Sequence, residues 1–81
     1  MLDMNNCFGF YFTRNGRCVE KLFPSLERLL AYIEKYHKTV CDFRHRMSLQ
    51  NYEEYVVFAE DVEAKCKCFY GVIYTPKGVF L

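Results

Sequence analysis

In the strand-like run Cys7 to Thr13 phenylalanine takes alternate positions at Phe8, Phe10 and Phe12, and Asn15-Gly16 separates this run from a second strand-like run, Arg17 to Phe23. Alternation of this kind marks a half-buried strand, and Asn-Gly tolerates positive φ at both positions of a type I′ turn. The two runs therefore predict a hairpin in which Phe12 faces Val19, Phe10 faces Lys21 and Phe8 faces Phe23. Phe8, Phe10, Phe12, Val19 and Phe23 share the expected core face. Tyr11, Thr13, Cys18, Glu20 and Leu22 share the other, and Arg14 and Arg17 flank the tip.

After Pro24 the period changes. Leu26, Leu29, Leu30, Ile33 and either Tyr36 or His37 follow the i, i+3, i+4, i+7 spacing of an amphipathic helix. Ser25 is placed to cap its free amides, and Glu27 lies near the positive end of its dipole. A helix joined so closely to the hairpin is expected to lie across the phenylalanine face.

Alternation returns from Val40 to Met47, with Cys41, Phe43 and Met47 on one side and Asp42, Arg44 and Arg46 on the other. Residues 48–64 admit two readings. Tyr55-Val56-Val57-Phe58 reads as strand from its β-branched and aromatic residues. Alternatively, Ser48 caps a second helix with Leu49, Tyr52, Tyr55, Val56, Ala59 and Val62 on one face; Val57 and Phe58 would then project elsewhere, which favours the strand. Cys66 to Tyr74 predicts a further strand in which Gly71 marks a close approach or a bulge. Thr75-Pro76-Lys77-Gly78 suits a type I turn, and Val79-Phe80-Leu81 a short, docked last strand. The expected fold is α+β: a small antiparallel sheet of four to five strands with one helix on one face, in the order β-β-α-β-β-β-β. No repeat, linker or low-complexity stretch divides residues 1–81, so a single domain is expected.

Composition adds a large aromatic load to this picture. Eight Phe and seven Tyr in 81 residues, with 52% hydrophobic residues overall, exclude a disordered chain. They also suggest more apolar surface than one small core hides, leaving some for a partner or a second copy. The net charge of +1 supplies no global field toward nucleic acid or membrane. Charge is nonetheless segregated: Glu53, Glu54, Glu60, Asp61 and Glu63 fall in one stretch without a base. No apolar run reaches the roughly 20 residues of a membrane helix. Met1-Leu2-Asp3-Met4-Asn5-Asn6 lacks the basic and apolar regions of a secretory signal. A cytoplasmic location with reduced thiols is therefore expected for the five cysteines.

Cys66-x-Cys68 invites a zinc reading, with Cys41 and His37 as the remaining ligands of a four-coordinate site. One Cys-x-Cys without a matched second pair is a weak signal, since buried cysteine commonly packs as a small hydrophobe. No cofactor is expected. Cys41 stands near His37, His45 and Arg44, yet no nucleophile elbow, glycine-rich phosphate loop or His-Glu-x-x-His motif accompanies it, and Glu53 and Glu54 would face opposite sides of a strand. Catalysis is therefore not expected. Arg44-His45-Arg46, Arg14 with Arg17, and Lys65 with Lys67 would suit phosphate contacts, but no nucleic-acid-binding motif supports them.

The balance favours a non-catalytic protein-interaction module, either self-associating as a homodimer or binding another protein. Its expected contacts are Tyr11, Arg14, Arg17, Glu20, Arg44 and Arg46, with Glu53, Glu54, Glu60 and Asp61 as a separate acidic contact. Small size and the lack of active-site motifs suggest an inhibitor of a larger nucleic-acid-handling complex, viral or mobile-element in type, in the manner of anti-CRISPR proteins. A nucleic-acid-binding domain and a small zinc protein are the alternatives.

Overall fold

The computed structural model describes residues 7–81; the reading of Met1 to Asn6 lies outside them. Strands β1 (Phe8–Arg14) and β2 (Arg17–Phe23) form the expected hairpin. Its register is the one set by the turn, with Phe8 opposite Phe23, Phe10 opposite Lys21 and Phe12 opposite Val19. Asn15 and Gly16 adopt φ of 53° and 76°, the left-handed pair that a type I′ turn requires.

Helix α1 (Leu26–Tyr36) starts at Ser25, whose side chain accepts a hydrogen bond from the Arg28 amide at 3.2 Å. It buries Leu29 and Ile33 over β1 and β2. The spacing left Tyr36 and His37 as alternatives for its last inward position. His37 takes it, 3% exposed, as the C-cap residue whose amide donates to the Ile33 carbonyl at 2.7 Å. Tyr36 remains outside.

The chain continues through β3 (Val40–Ser48), β4 (Tyr52–Asp61) and β5 (Cys66–Pro76). All pairings are antiparallel, and the sheet order is β2-β1-β5-β4-β3. Residues 52–61 are thus strand, and the second helix over 48–64 is absent. A strand there pairs on both sides and buries Glu53, Tyr55, Val57 and Ala59 on one face.

Gly71 is the close approach expected of it. A Cβ at this position would lie 2.3 Å from the Tyr11 carbonyl oxygen and 3.2 Å from the Phe10 ring. Only a bare backbone lets β5 pair with β1 while both phenylalanines turn inward.

Three expectations are corrected. Irregularities between Val40 and Asp42 and between His45 and Met47 break the alternation of β3. Cys41 falls in the first, so Val40, Phe43 and His45 face the helix side, and Met47 lies opposite Glu54 on the other. The turn after β5 comes one residue late, closed by the Val79 amide on the Pro76 carbonyl at 3.0 Å, because Thr75 still pairs with Glu53 in the sheet. Val79 to Leu81 form no strand. They dock as a tail: Thr75 Oγ1 donates to the Val79 carbonyl at 2.6 Å, and the Leu81 amide donates to Tyr55 Oη at 3.1 Å.

The core is one continuous cluster of Phe8, Phe10, Phe12, Leu29, Ile33, Tyr55, Val57 and Ile73. Each such side chain contributes about 1.5–3 kcal/mol by leaving water. Helix and tail share the covering of this face, the helix over β1 and β2 and the tail over β4. Among the described residues, no element crosses the opposite face, and no helix is long and apolar enough to span a membrane.

Candidate functional site

The uncovered face is built by the outward residues of all five strands. Following the register from edge to edge gives rows of side chains that stand side by side. One row runs Glu20, Tyr11, Val72, Val56, Arg44. The next runs Leu22, Gly9, Tyr74, Glu54, Met47.

Gly9 leaves a gap in the second row, and a hollow of about 230 Å³ opens there. Its walls are Tyr11, Leu22, Leu49, Tyr52 and Tyr74, with Cys7 at one end. The tyrosines meet edge to face, Tyr11 and Tyr74 with ring centroids 5.5 Å apart and Tyr52 and Tyr74 at 6.3 Å. A Cβ at position 9 would come within 3.1 Å of the Tyr11 ring, so the hollow exists because this strand position carries no side chain.

Two of the three phenol groups, those of Tyr74 and Tyr11, are tied to carboxylates. Tyr74 Oη donates to Glu54 Oε1 at 2.7 Å, and this bond, aided by burial and the negative charge, pushes the phenol up to about 12. Tyr11 is raised above its ordinary value by burial first, then by the charge and hydrogen bond of Glu20. Glu54 Oε2 makes no hydrogen bond and lies 3.4 Å from Arg46 Nε. Arg44 Nε contacts Asp42 Oδ2 at 3.3 Å while its guanidinium overlies the Phe58 ring at 5.5 Å. Lys67 shares the same Asp42 oxygen, at 3.3 Å. The two hydrogen bonds, Lys67's before Arg44's, hold Asp42 below the usual carboxylate range.

Tyr11, Glu20, Arg44, Arg46, Glu54 and Glu60 therefore gather on one face, although they come from four strands. Arg14 and Arg17 sit apart at the hairpin tip, opposite each other. Asp61 closes the β4–β5 turn by accepting from the Ala64 amide at 3.1 Å. The expected acidic contact is thus not a freely exposed one: Glu54 is only 8% exposed, held by Tyr74 and Arg46, and Glu53 is not on this face at all.

Glu53 is 1% exposed and lies on the covered side of the sheet. Its Oε1 accepts from Ser48 Oγ and lies 3.0 Å from His45 Nε2; its Oε2 accepts from the Gly78 amide at 2.9 Å and lies 3.9 Å from Lys77 Nζ. The Ser48 hydroxyl, the Gly78 amide and His45, in that order, draw the carboxyl down to about 2. Serine, histidine and glutamate meet here, but hydroxyl and imidazole both address one carboxylate oxygen. A nucleophile needs its hydroxyl on the imidazole instead. The cluster works as a latch holding the turn after β5 against β3 and β4. Period-two spacing with Tyr55 and Val57 was the one signal in the sequence for this inward position.

His37 is likewise a core residue. The rings of Phe10, Phe12, Tyr32 and Tyr70 surround it, with the closest centroid, that of Phe12, at 4.4 Å. Its Nδ1 is 2.5 Å from Tyr70 Oη, and Nε2 has no partner. Burial, then the positive charge of Arg14, lowers its pKa and favours the neutral ring. Cys41, Cys66 and Cys68 are exposed, whereas His37 is buried among the rings. The zinc set of Cys41, Cys66, Cys68 and His37 is thus not brought together, and among the described residues no three His, Cys, Asp or Glu side chains converge on one point. The basic residues proposed for phosphate contact are also dispersed: His45 faces the covered side, while Arg44, Arg46 and Lys67 have acidic neighbours on the open one.

Compared with known proteins, the chain matches no family model, and no curated protein or solved structure is significantly similar to it.

Proposed function

We propose that this protein is a non-catalytic protein-interaction domain whose contact surface is the open face of the sheet. One observation carries the reading: three tyrosines enclose a hollow on a sheet face that no described element covers. Tyrosine suits such a place, because its ring offers apolar area while its hydroxyl stays bound to a carboxylate or to water. The charges on the open face are mixed, Glu20 and Glu54 with Arg44 and Arg46, which fits a protein surface better than a polyphosphate. Inhibition of a larger nucleic-acid-handling assembly is the specific use that the sequence suggests for such a surface.

The test is affinity capture from an extract of the native source with three immobilised proteins: wild type, Val72→Lys on the open face, and Glu34→Lys on the exposed side of the helix. Proteins retained by wild type and Glu34→Lys but released by Val72→Lys, with all three baits folded by circular dichroism, support the reading. Capture that survives Val72→Lys unchanged overturns it.

A further inference from the structure

We infer that the open face pairs with a second copy of itself, face to face about a two-fold axis, an occupant that rests on the open-face reading above. The central row of that face is antisymmetric. It runs Glu20, Tyr11, Val72, Val56, Arg44, with an acid at one edge, a base at the other and Val72 in the middle. Val72 stands on β5, the third strand of five.

A two-fold axis lying between two such sheets, parallel to the strands and passing over Val72, places β2 of one copy above β3 of its partner. Glu20 then meets the second copy's arginine at position 44, and Arg44 meets its glutamate at position 20. Tyr11 comes over the valine at position 56, and Val72 over its own equivalent. An isologous interface demands that the patch complement itself, and this row does so at both ends and at the centre. Binding to an unrelated protein requires no such antisymmetry.

Geometry permits the contact. Aligned sheets pack ~10 Å apart and cross at ~30°, which displaces the ends of a five-strand row by ~5 Å, within reach of an arginine. Glu20 is exposed, and the side chain of Arg44 is 69% exposed. Phe69, 64% exposed opposite Phe58, is apolar surface that the same packing would cover. Five strands by about seven residues make a face of ~550 Å² per copy, or ~1,100 Å² in all, at the low end for a specific interface. A reversible dimer of micromolar strength is expected.

Sedimentation equilibrium of the full chain up to hundreds of micromolar, at low and at high salt, tests this. Wild type should dimerise, more weakly in salt. Glu20→Arg and Arg44→Glu should each weaken the dimer at least ~10-fold, because either reversal sets two like-charged pairs together. Mixed in equal amounts, the two variants should form a heterodimer near wild-type strength, since every acid then meets a base. A wild type that stays monomeric, or a mixture no tighter than its components, overturns the second-copy occupant. If Val72→Lys still releases captured proteins in that case, the open face stands with another occupant; if it does not, both readings fall.

Discussion

Phe10 and Tyr11 are neighbours on β1 and end in opposite surroundings. Phe10 is fully buried against the rings of Phe12, Tyr32, His37 and Tyr70. Tyr11 lies on the open face against Tyr74, with its phenol toward Glu20. The contrast lies in surroundings and not in residue type alone, since Tyr55 and Tyr70 also pack on the covered side and Phe58 and Phe69 lie on the open one. The covered face packs phenylalanine against a helix and a tail, and its few polar groups are locked into contacts with named partners. Around the hollow the open face uses tyrosine, whose hydroxyl makes a partly wet aromatic surface tolerable. One face is thus built to hold the fold together, and the other is what the fold presents.

Substitution at adjacent positions should separate these roles most sharply. Phe10→Ala removes a ring from the centre of the core and should cost about 3–5 kcal/mol, much of what a domain this size possesses. Phe10→Leu, with a smaller loss, keeps the measurement possible if the alanine variant does not fold. Val72→Ala, half-buried on the open face, should cost less than about 1 kcal/mol. Urea unfolding of each variant measures the difference, and comparable losses at both positions would mean that the open face is a second core.

Next in size is the Glu53 latch. Its folded pKa of about 2 lies below its ordinary value of 4.5. The stability it contributes is therefore complete above about pH 4.5 and is lost as pH falls toward 2. Glu53→Gln should lower the urea midpoint at pH 7 and flatten its fall between pH 4.5 and 2. A wild-type midpoint that is level across that window would rule out the carboxylate as the tie between tail and sheet.

These two predictions rest on unequal shares of sequence information. The position of Phe10 was legible, because Asn15-Gly16 sets the hairpin register locally and Ser25 starts the helix one residue after the hairpin and Pro24. The latch was not. Glu53 reads as part of an acidic block, and its burial depends on the Gly78 amide returning 25 positions later in the chain. Irregularities at Cys41 and near Arg46 were equally hidden, since a strand with one extra residue has the same composition as one without. The pairing of β1 with β5, which makes the open face continuous, joins segments some 60 residues apart that no local pattern connects. Tyr11, Glu20, Arg44 and Arg46 could be named singly; their meeting on one surface is a product of that long-range order.

A smaller effect is expected from His37, the titratable group of the covered face that the helix closes over. Its folded pKa is lowered from 6.5, so the unfolded chain binds the extra proton first as pH falls. Stability is complete above about pH 6.5 and declines as pH drops through that value toward the folded pKa. His37→Gln should remove this decline while leaving the steeper loss at lower pH that Glu53 causes. The imidazole resonances of the two histidines report it directly: His37 should titrate below 6.5, and a His37 that titrates above it would place a charged ring in the aromatic box.

The smallest change belongs to the open face and should leave stability at neutral pH nearly untouched. Tyr74 is held to about 12 first by its hydrogen bond to Glu54, with burial and the carboxylate charge adding to it. Glu54→Gln keeps the shape and removes the charge, so the Tyr74 phenol should ionise closer to its ordinary 10. Ultraviolet titration of the phenolate band, compared with Tyr74→Phe to identify the transition, reads the shift. Because the phenol is neutral on both sides of pH 7, the urea midpoint there should move far less than in Glu53→Gln. Adjacent glutamates on one strand would then behave as the two faces do, one securing the fold and the other setting the chemistry of the exposed hollow. If Glu54→Gln instead lowers the midpoint as much as Glu53→Gln, the Tyr74–Glu54 pair is a structural tie, and the open face is no less part of the fold's framework than the covered one.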